Sequence, residues 1–175
     1  MPLDHLWATW RSAYVGKVAD SRTLPSVEAA AGRSLFERIL AAAQEEGGDA
    51  AGVVAQGPTC FVLLNLYPYT VGHLMVLPQR AVADLGGLTA EEHRELWDTV
   101  RVAVQALRLA FRCDGVNVGL NLGEAAGGSQ SDHLHVHCVP RWGGDANFLT
   151  VTAETRVLPV SLVEAAERLR AVWPG

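Results

Sequence analysis

The sequence predicts an α+β domain: a mostly antiparallel sheet with one long inserted helix and a second helix at the C-terminal end. Three observations carry that prediction. Segments of strand length recur between turn residues at 59–66, which is rich in β-branched or aromatic residues, at 72–77, and at 115–122, which alternates. One long segment, from Thr89 to about Cys113, has the period of a helix instead. Finally, His133-Leu134-His135-Val136-His137 alternates imidazole with aliphatic side chains, which is the period-two signature of a strand.

Taken in order, residues 5–15 place Leu6, Trp7, Trp10, Tyr14 and Val15 at helical spacing, an amphipathic segment that needs an apolar surface to dock on. Residues 17–34 are small, polar and Ala-rich and read as a connector, so that 1–34 form an N-terminal segment and 35–175 the domain proper. Residues 35–43 have helical character, and the polar stretch 44–49 reads as a surface loop. The strand 59–66 (TCFVLLNL) and the strand 72–77 (GHLMVL) flank the tight connection 67–71, where Pro68 cannot serve a ladder as donor; this is a hairpin-like pair. Thr89-Ala90-Glu91-Glu92 has the capping-box pattern, and Leu96, Val100, Val104, Leu107 and Phe111 follow as an apolar stripe. Residues 115–122 (GVNVGLNL) alternate, 123–132 (GEAAGGSQSD) form a small-residue loop, and the histidine strand follows at once. After Trp142 comes a turn at 143–145, then a last helix capped at Ser161 and running to about Trp173.

Bulk composition removes several functional classes. At 175 residues the chain has the length of a single domain that buries about 70% of its unfolded surface. A net charge of −5 argues against a partner that is a nucleic-acid polymer, while leaving room for a small anion in a locally positive pocket. No apolar run reaches the ~18 residues of a membrane span, and the first residues carry no secretory signal pattern. Cys60, Cys113 and Cys138 are odd in number, widely spaced and free of any Cys-x-x-Cys pair, as expected of reduced thiols in the cytoplasm.

Half of the six histidines lie within five residues, at 133, 135 and 137. Three readings of that row are open on the strand alone. Imidazoles on alternate positions can ligate zinc; they can be hydrogen-bonded structural groups; or one can attack phosphorus while its neighbours hold phosphate oxygens. The neighbourhood favours the third. Gly127-Gly128-Ser129 supplies backbone N–H groups able to cradle an anion and a hydroxyl, Arg141 adds positive charge, and the neighbouring sequence does not resemble the carboxylate partners that orient metal-bound histidine. Asn65 has a plainer alternative as a strand-end cap, Asp145 as a turn former, and Trp142 and Phe148 as packing residues. His5 and His93 read as solvent-exposed.

Residues 133–139 (HLHVHCV) resemble the signature of the histidine triad superfamily of nucleotidyl hydrolases and transferases. The resemblance extends to residues 65–78 (NLYPYTVGHLMVLP), to the Leu6-Trp7, Trp10-Arg11 and Tyr14 pattern, and to residues 121–129 and 140–148, which are similar to the diadenosine tetraphosphate phosphorylase branch of the actinobacteria. It covers about residues 5–150. The resemblance implies the histidine triad fold, with His135 as the nucleophile that becomes a nucleotidyl-histidine. His133 and His137 then hold phosphate and assist the leaving group, and His73 completes the cluster. Substrate is expected at Asn65 (ribose), Asn121, Gly128, Ser129, Gln130 and Arg141. Many members carry Gln where this chain has Ser129; Ser occurs in the phosphorylase branch. Members with structural zinc carry Cys-x-x-Cys where this chain has Ser34-Leu35-Phe36-Glu37, so no metal site is expected.

The expected reaction is diadenosine tetraphosphate plus phosphate to ADP and ATP, with no cofactor beyond Mg²⁺ brought in by the substrate. Two alternatives stand beside it: a hydrolase releasing a nucleoside monophosphate from a nucleotide conjugate, and a nucleotide-binding regulator without turnover. The family resemblance also implies a homodimer or higher homo-oligomer.

Overall fold

The computed structural model describes residues 32–46, 52–127, 130–145 and 158–174. The Trp7/Trp10 segment, most of the connector, Gly128, Ser129 and Phe148 lie outside the described residues. Within them the order is α1 (Leu35–Glu46), β1 (Val53–Gln56), β2 (Cys60–Leu64), β3 (Leu74–Pro78), α2 (Ala90–Phe111), β4 (Gly115–Leu120), β5 (Val136–Arg141) and α3 (Leu162–Val172). The strands form one antiparallel sheet in the order β1-β2-β3-β5-β4. The expected α+β architecture is therefore present.

Helix α1 runs a turn further than residues 35–43, because Gln44, Glu45 and Glu46 are good helix formers and Gln44 and Glu45 face solvent. Strand β1 was not among the expected strands. Its four residues are too short a run to show a period, and a register shift between Val53 and Ala55 blurs it further. The hairpin of β2 and β3 pairs Cys60 with Pro78 through Leu64 with Leu74, as the sequence leads one to expect. Thr89 caps α2 with the full capping box, its side chain accepting from the Glu92 N–H while the Glu92 carboxylate accepts from the Thr89 N–H.

Alternation assigns the two sheet faces to different partners. Val62, Leu64, Leu74, Val76, Val136 and Cys138 point toward α2 and α3, where Leu96, Ala103, Leu107 and Leu169 meet them. Phe61, Leu63, Met75 and Leu77 point the other way, against Phe36 and Leu40 of α1. Helix α1 thus covers the β1–β3 half of that face. The β5–β4 half, carrying His137, Gly119 and Arg141, is left partly open.

Two local devices aim the strands that bear the site. Gly72 adopts φ +77°, and a Cβ there would sit 2.4 Å from the Phe111 ring, so only glycine makes the turn that delivers His73. Pro140 lies in β5, where a missing N–H would normally break a ladder. The β3 ladder, however, ends at Cys138, and the Pro140 carbonyl on that side takes the Thr70 hydroxyl at 2.8 Å.

The β1–β2 turn is tied to α2 by one carboxylate. Glu95 accepts from the Thr59 N–H at 3.1 Å, the Cys60 N–H at 3.0 Å and the Thr59 hydroxyl at 2.7 Å. Replacing Glu95 by Ala leaves those donors without their anionic acceptor and is expected to lower unfolding stability by about 2 kcal/mol. An unchanged urea midpoint for this variant would contradict that role.

Candidate active site

The histidine row is not a uniform strand. Regular pairing begins at Val136, so His133, Leu134 and His135 precede the ladder and only His137 lies within it. The rings are therefore not an evenly spaced edge: the His135 and His137 centroids are 4.9 Å apart and nearly perpendicular. Each imidazole has a different set of partners.

His133 is 1% exposed, and both of its ring nitrogens are taken within the protein. Its Nε2 lies 2.8 Å from the Pro78 carbonyl and its Nδ1 lies 2.6 Å from the Ser34 hydroxyl. Since a carbonyl only accepts, the Nε2 carries the proton and the Ser34 O–H donates to Nδ1. Burial pushes the His133 pKa down and keeps the ring neutral. The expectation that His133 holds phosphate is corrected here: a ring with both nitrogens engaged has nothing left to offer an oxygen of the substrate.

His135 Nδ1 lies 2.8 Å from the backbone carbonyl of His133. By the same logic Nδ1 carries the proton, and the Nε2 lone pair is the free one. Phe36 packs on both rings, with centroids 5.4 Å from His133 and 5.4 Å from His135. The ring is thus fixed at one nitrogen and on one flank, with no partner at Nε2 among the described residues.

The last pair extends the tautomer chain. The Tyr69 N–H donates to His73 Nδ1 at 3.1 Å, which leaves the proton of neutral His73 on Nε2. That Nε2 lies 3.0 Å from His137 Nδ1, so His137 accepts there and carries its own proton on Nε2. A half-exposed N–H of that kind is a donor for a phosphate oxygen or a departing group. Burial, and secondarily the neighbouring His135, push the His137 pKa down to about 4.

The remaining residues divide by location. Asn65 accepts from the Tyr67 N–H at 2.9 Å and lies 3.5 Å from His73 Nδ1 through its amide nitrogen, so it stands beside the cluster while also shaping the turn. Asn121 follows Leu120, the last paired residue of β4, whose partner Val136 follows His135; it emerges at the same end of the ladder as His135. The Gln130 carbonyl receives the His133 N–H at 3.5 Å. Arg141 sits at the far end of β5, where its guanidinium grips Asp145 at 2.6 and 2.7 Å and reaches Asn117 at 2.9 Å. Its charge is already paired on the open face. Sequence reasoning missed Ser34, Phe36, Glu37 and Tyr69. Tyr69 stacks at 4.7 Å on His73 and 6.2 Å from His137, and its adjacency to the Pro68 turn was the available signal.

The depressed His137 value fixes a pH dependence. The unfolded imidazole, near 6.5, takes its proton before the folded one near 4, so between those values the unfolded state binds more protons. Stability from this group is complete above pH ~6.5 and is lost as the pH falls toward 4. An NMR titration should find the His137 ring changing near pH 4; a midpoint close to 6.5 would contradict the depression of its pKa by its surroundings.

The HIT domain family model matches residues 46–144. Over 171 residues the chain is 42% identical to the "AP-4-A phosphorylase" of Mycobacterium tuberculosis (strain ATCC 25618 / H37Rv), an alignment covering 98% of this chain and 85% of that protein. It is 39% identical over 82 residues to the "Bis(5'-nucleosyl)-tetraphosphatase [asymmetrical]" of Schizosaccharomyces pombe, covering 47% of this chain and 44% of that one. Among solved structures, a zinc-bound histidine triad family protein from Mycobacterium smegmatis superposes with a TM-score of 0.60 at 27% identity, over 75% of this chain and 90% of that chain. A HIT family member from Bacillus subtilis gives 0.56 at 28% identity, over 63% of this chain and 74% of that chain. With its family model, its relatives and its arrangement of imidazoles in agreement, the chain belongs to the HIT, or histidine triad, family.

Proposed function

We propose that this protein is a diadenosine tetraphosphate phosphorylase that converts its substrate and inorganic phosphate into ADP and ATP. The observation that carries the reading is His135, an imidazole whose Nδ1 proton is held by the His133 carbonyl at 2.8 Å and whose Nε2 is free to attack. In the first step Nε2 bonds to the α-phosphorus, the bond to the bridging oxygen breaks, and ATP leaves. The Nε2 proton of His137 stabilises charge on the oxygens of the transferring group as that bond breaks. In the second step an oxygen of inorganic phosphate attacks the same phosphorus, the phosphorus–nitrogen bond breaks, and ADP departs with His135 restored.

The choice of phosphate over water as acceptor is supported by likeness to the mycobacterial phosphorylase over nearly the whole chain. The shorter match to a tetraphosphatase favours a hydrolase as the second reading. Asn65 and Asn121 belong to the nucleoside side of the proposed substrate site, and Gly128, Ser129 and Gln130 to the phosphate side. Mg²⁺ enters, in this reading, as a companion of the polyphosphate.

The same reading places the protein in the cytoplasm as a homodimer or higher homo-oligomer. Three free, buried cysteines support the compartment. The edge position of β4, with Val118 exposed, supports pairing between copies. Among the described residues no helix is long and apolar enough to cross a membrane. The proposed division lies between residues 34 and 35, and the contact of Ser34 with His133 ties the last residue of the N-terminal segment to the domain.

Incubation with diadenosine tetraphosphate, with and without millimolar phosphate, tests the reaction. ADP and ATP formed only when phosphate is present is the expected result. AMP and ATP in both tubes would replace the phosphorylase by a hydrolase. His135→Ala should abolish turnover by more than a thousandfold while retaining nucleotide binding, and unchanged activity in that variant would sink the mechanism.

A further inference from the structure

We propose that Ser34 and Glu37, at the start of α1, are positioning residues for the nucleophile: they hold His133 in one place and one tautomer, so that its backbone carbonyl orients His135. The inference rests on the reading of His135 as nucleophile and extends it to a part of the chain that carries no triad residue.

The need for such a clamp follows from the ladder. His133 to His135 precede β5, and pairing with β3 reaches back only to Val136. A backbone carbonyl outside a ladder is a poor fixed point unless something else locks it. The Leu134 N–H provides one lock by donating to the Val82 carbonyl at 2.6 Å. The other lock is the His133 ring, pinned between the Pro78 carbonyl and the Ser34 hydroxyl.

Ser34 is itself held from two sides. Its hydroxyl accepts the Glu37 N–H at 3.2 Å while donating to His133, and its own N–H donates to the Glu37 carboxylate at 2.7 Å. The other Glu37 oxygen accepts the Ala81 N–H at 3.0 Å, in the segment that follows β3. One short motif therefore bridges α1, the residues after β3 and the histidine segment. Both carboxylate oxygens and the serine proton are committed, and Phe36 between them seals the two rings. This donor set does not fit a zinc ion: it offers no thiolate, and its hydroxyl points a proton at the imidazole nitrogen that a metal would need. Hydrogen bonds do the holding here.

The test compares wild type, Ser34→Ala, Ser34→Thr and Glu37→Gln, first without substrate. Long-range ¹H–¹⁵N spectra of the imidazoles should show His133 protonated at Nε2 and His135 at Nδ1 in wild type. In Ser34→Ala the His135 signature should become a mixture of tautomers, and Ser34→Thr, which keeps the hydroxyl, should restore it. With diadenosine tetraphosphate, kcat of Ser34→Ala should fall about 10- to 100-fold, with KM changed less than about threefold, since a misaimed nucleophile is lost from the chemical step. Glu37→Gln, which turns one acceptor into a donor facing an N–H, should shift both readouts the same way by a smaller factor. It carries the comparison should Ser34→Ala fail to fold.

A Ser34→Ala protein with wild-type His135 tautomer and wild-type kcat would overturn the proposal. So would a lost kcat with the tautomer signature intact, which would mark a merely structural role, or stoichiometric zinc whose removal erases the signature. If wild type turns over no dinucleotide, the substrate assignment fails, and the spectra of the unliganded protein still decide the clamp.

Discussion

The bond from His135 Nδ1 to the carbonyl of His133 is the constraint on which the site depends. An imidazole nucleophile must present one lone pair, and a neutral ring has two nitrogens that compete to carry the single proton. Fixing the proton on Nδ1 removes the choice. The acceptor is a backbone oxygen two residues back, which demands extended chain at 133–135 but leaves those residues outside the hydrogen-bond ladder of the sheet. Much of the surrounding architecture answers that demand. Pro78, Val82, Ser34 and Phe36 come from three different parts of the chain and converge on that segment.

Seen this way, the alternation of three histidines does not mean three copies of one role. His133 is a structural ring with no free nitrogen. His135 is held at one nitrogen and free at the other. His137 receives a hydrogen bond from His73 at Nδ1 and carries its proton on Nε2. The order along the chain matches the order of exposure, because α1 covers the sheet face where the row begins and leaves it where the row continues into β5 and β4. Depth under one helix separates chemically identical side chains into one bonded at both nitrogens, one held at Nδ1 alone and one that accepts from His73.

The parts legible in the sequence were those written in local patterns. The capping box at Thr89 and Glu92 is complete within four residues, and the turn between β2 and β3 announces itself through Pro68 and Gly72. The period-two row pointed to residues 133–137 but could not assign their rings, since tautomer and burial come from partners distant in sequence. The clearest case is Ser34, whose bond to His133 spans 99 residues. From sequence its stretch was notable only for lacking cysteines. At Arg141, adjacency in sequence suggests a charge for the substrate, while the partner visible in the structure is Asp145 four residues on, whose carboxyl is held down at about 2. Strand β1 was missed because four residues with a register shift present no period.

Imidazole N–H groups are reasonable donors for moving a phosphoryl group that carries a nucleoside. A fixed cation close to a polyphosphate binds the ground state almost as strongly as the transition state, which tightens binding without lowering the barrier. A directed N–H behaves differently, because its acceptor gains charge only as the bridging bond breaks. Burial keeps His133 and His137 neutral, the Arg141 charge is paired with Asp145, and the His137 ring lies beside the proposed nucleophile, His135. Neutrality also suits the second half of the reaction. In the proposed reaction another anion must approach the same phosphorus after ATP leaves, and a neutral donor such as His137 holds the departing polyanion less tightly than a fixed cation would. Preorganised neutral donors, anchored through His133, thus reconcile attack on an anionic substrate with release of an anionic product.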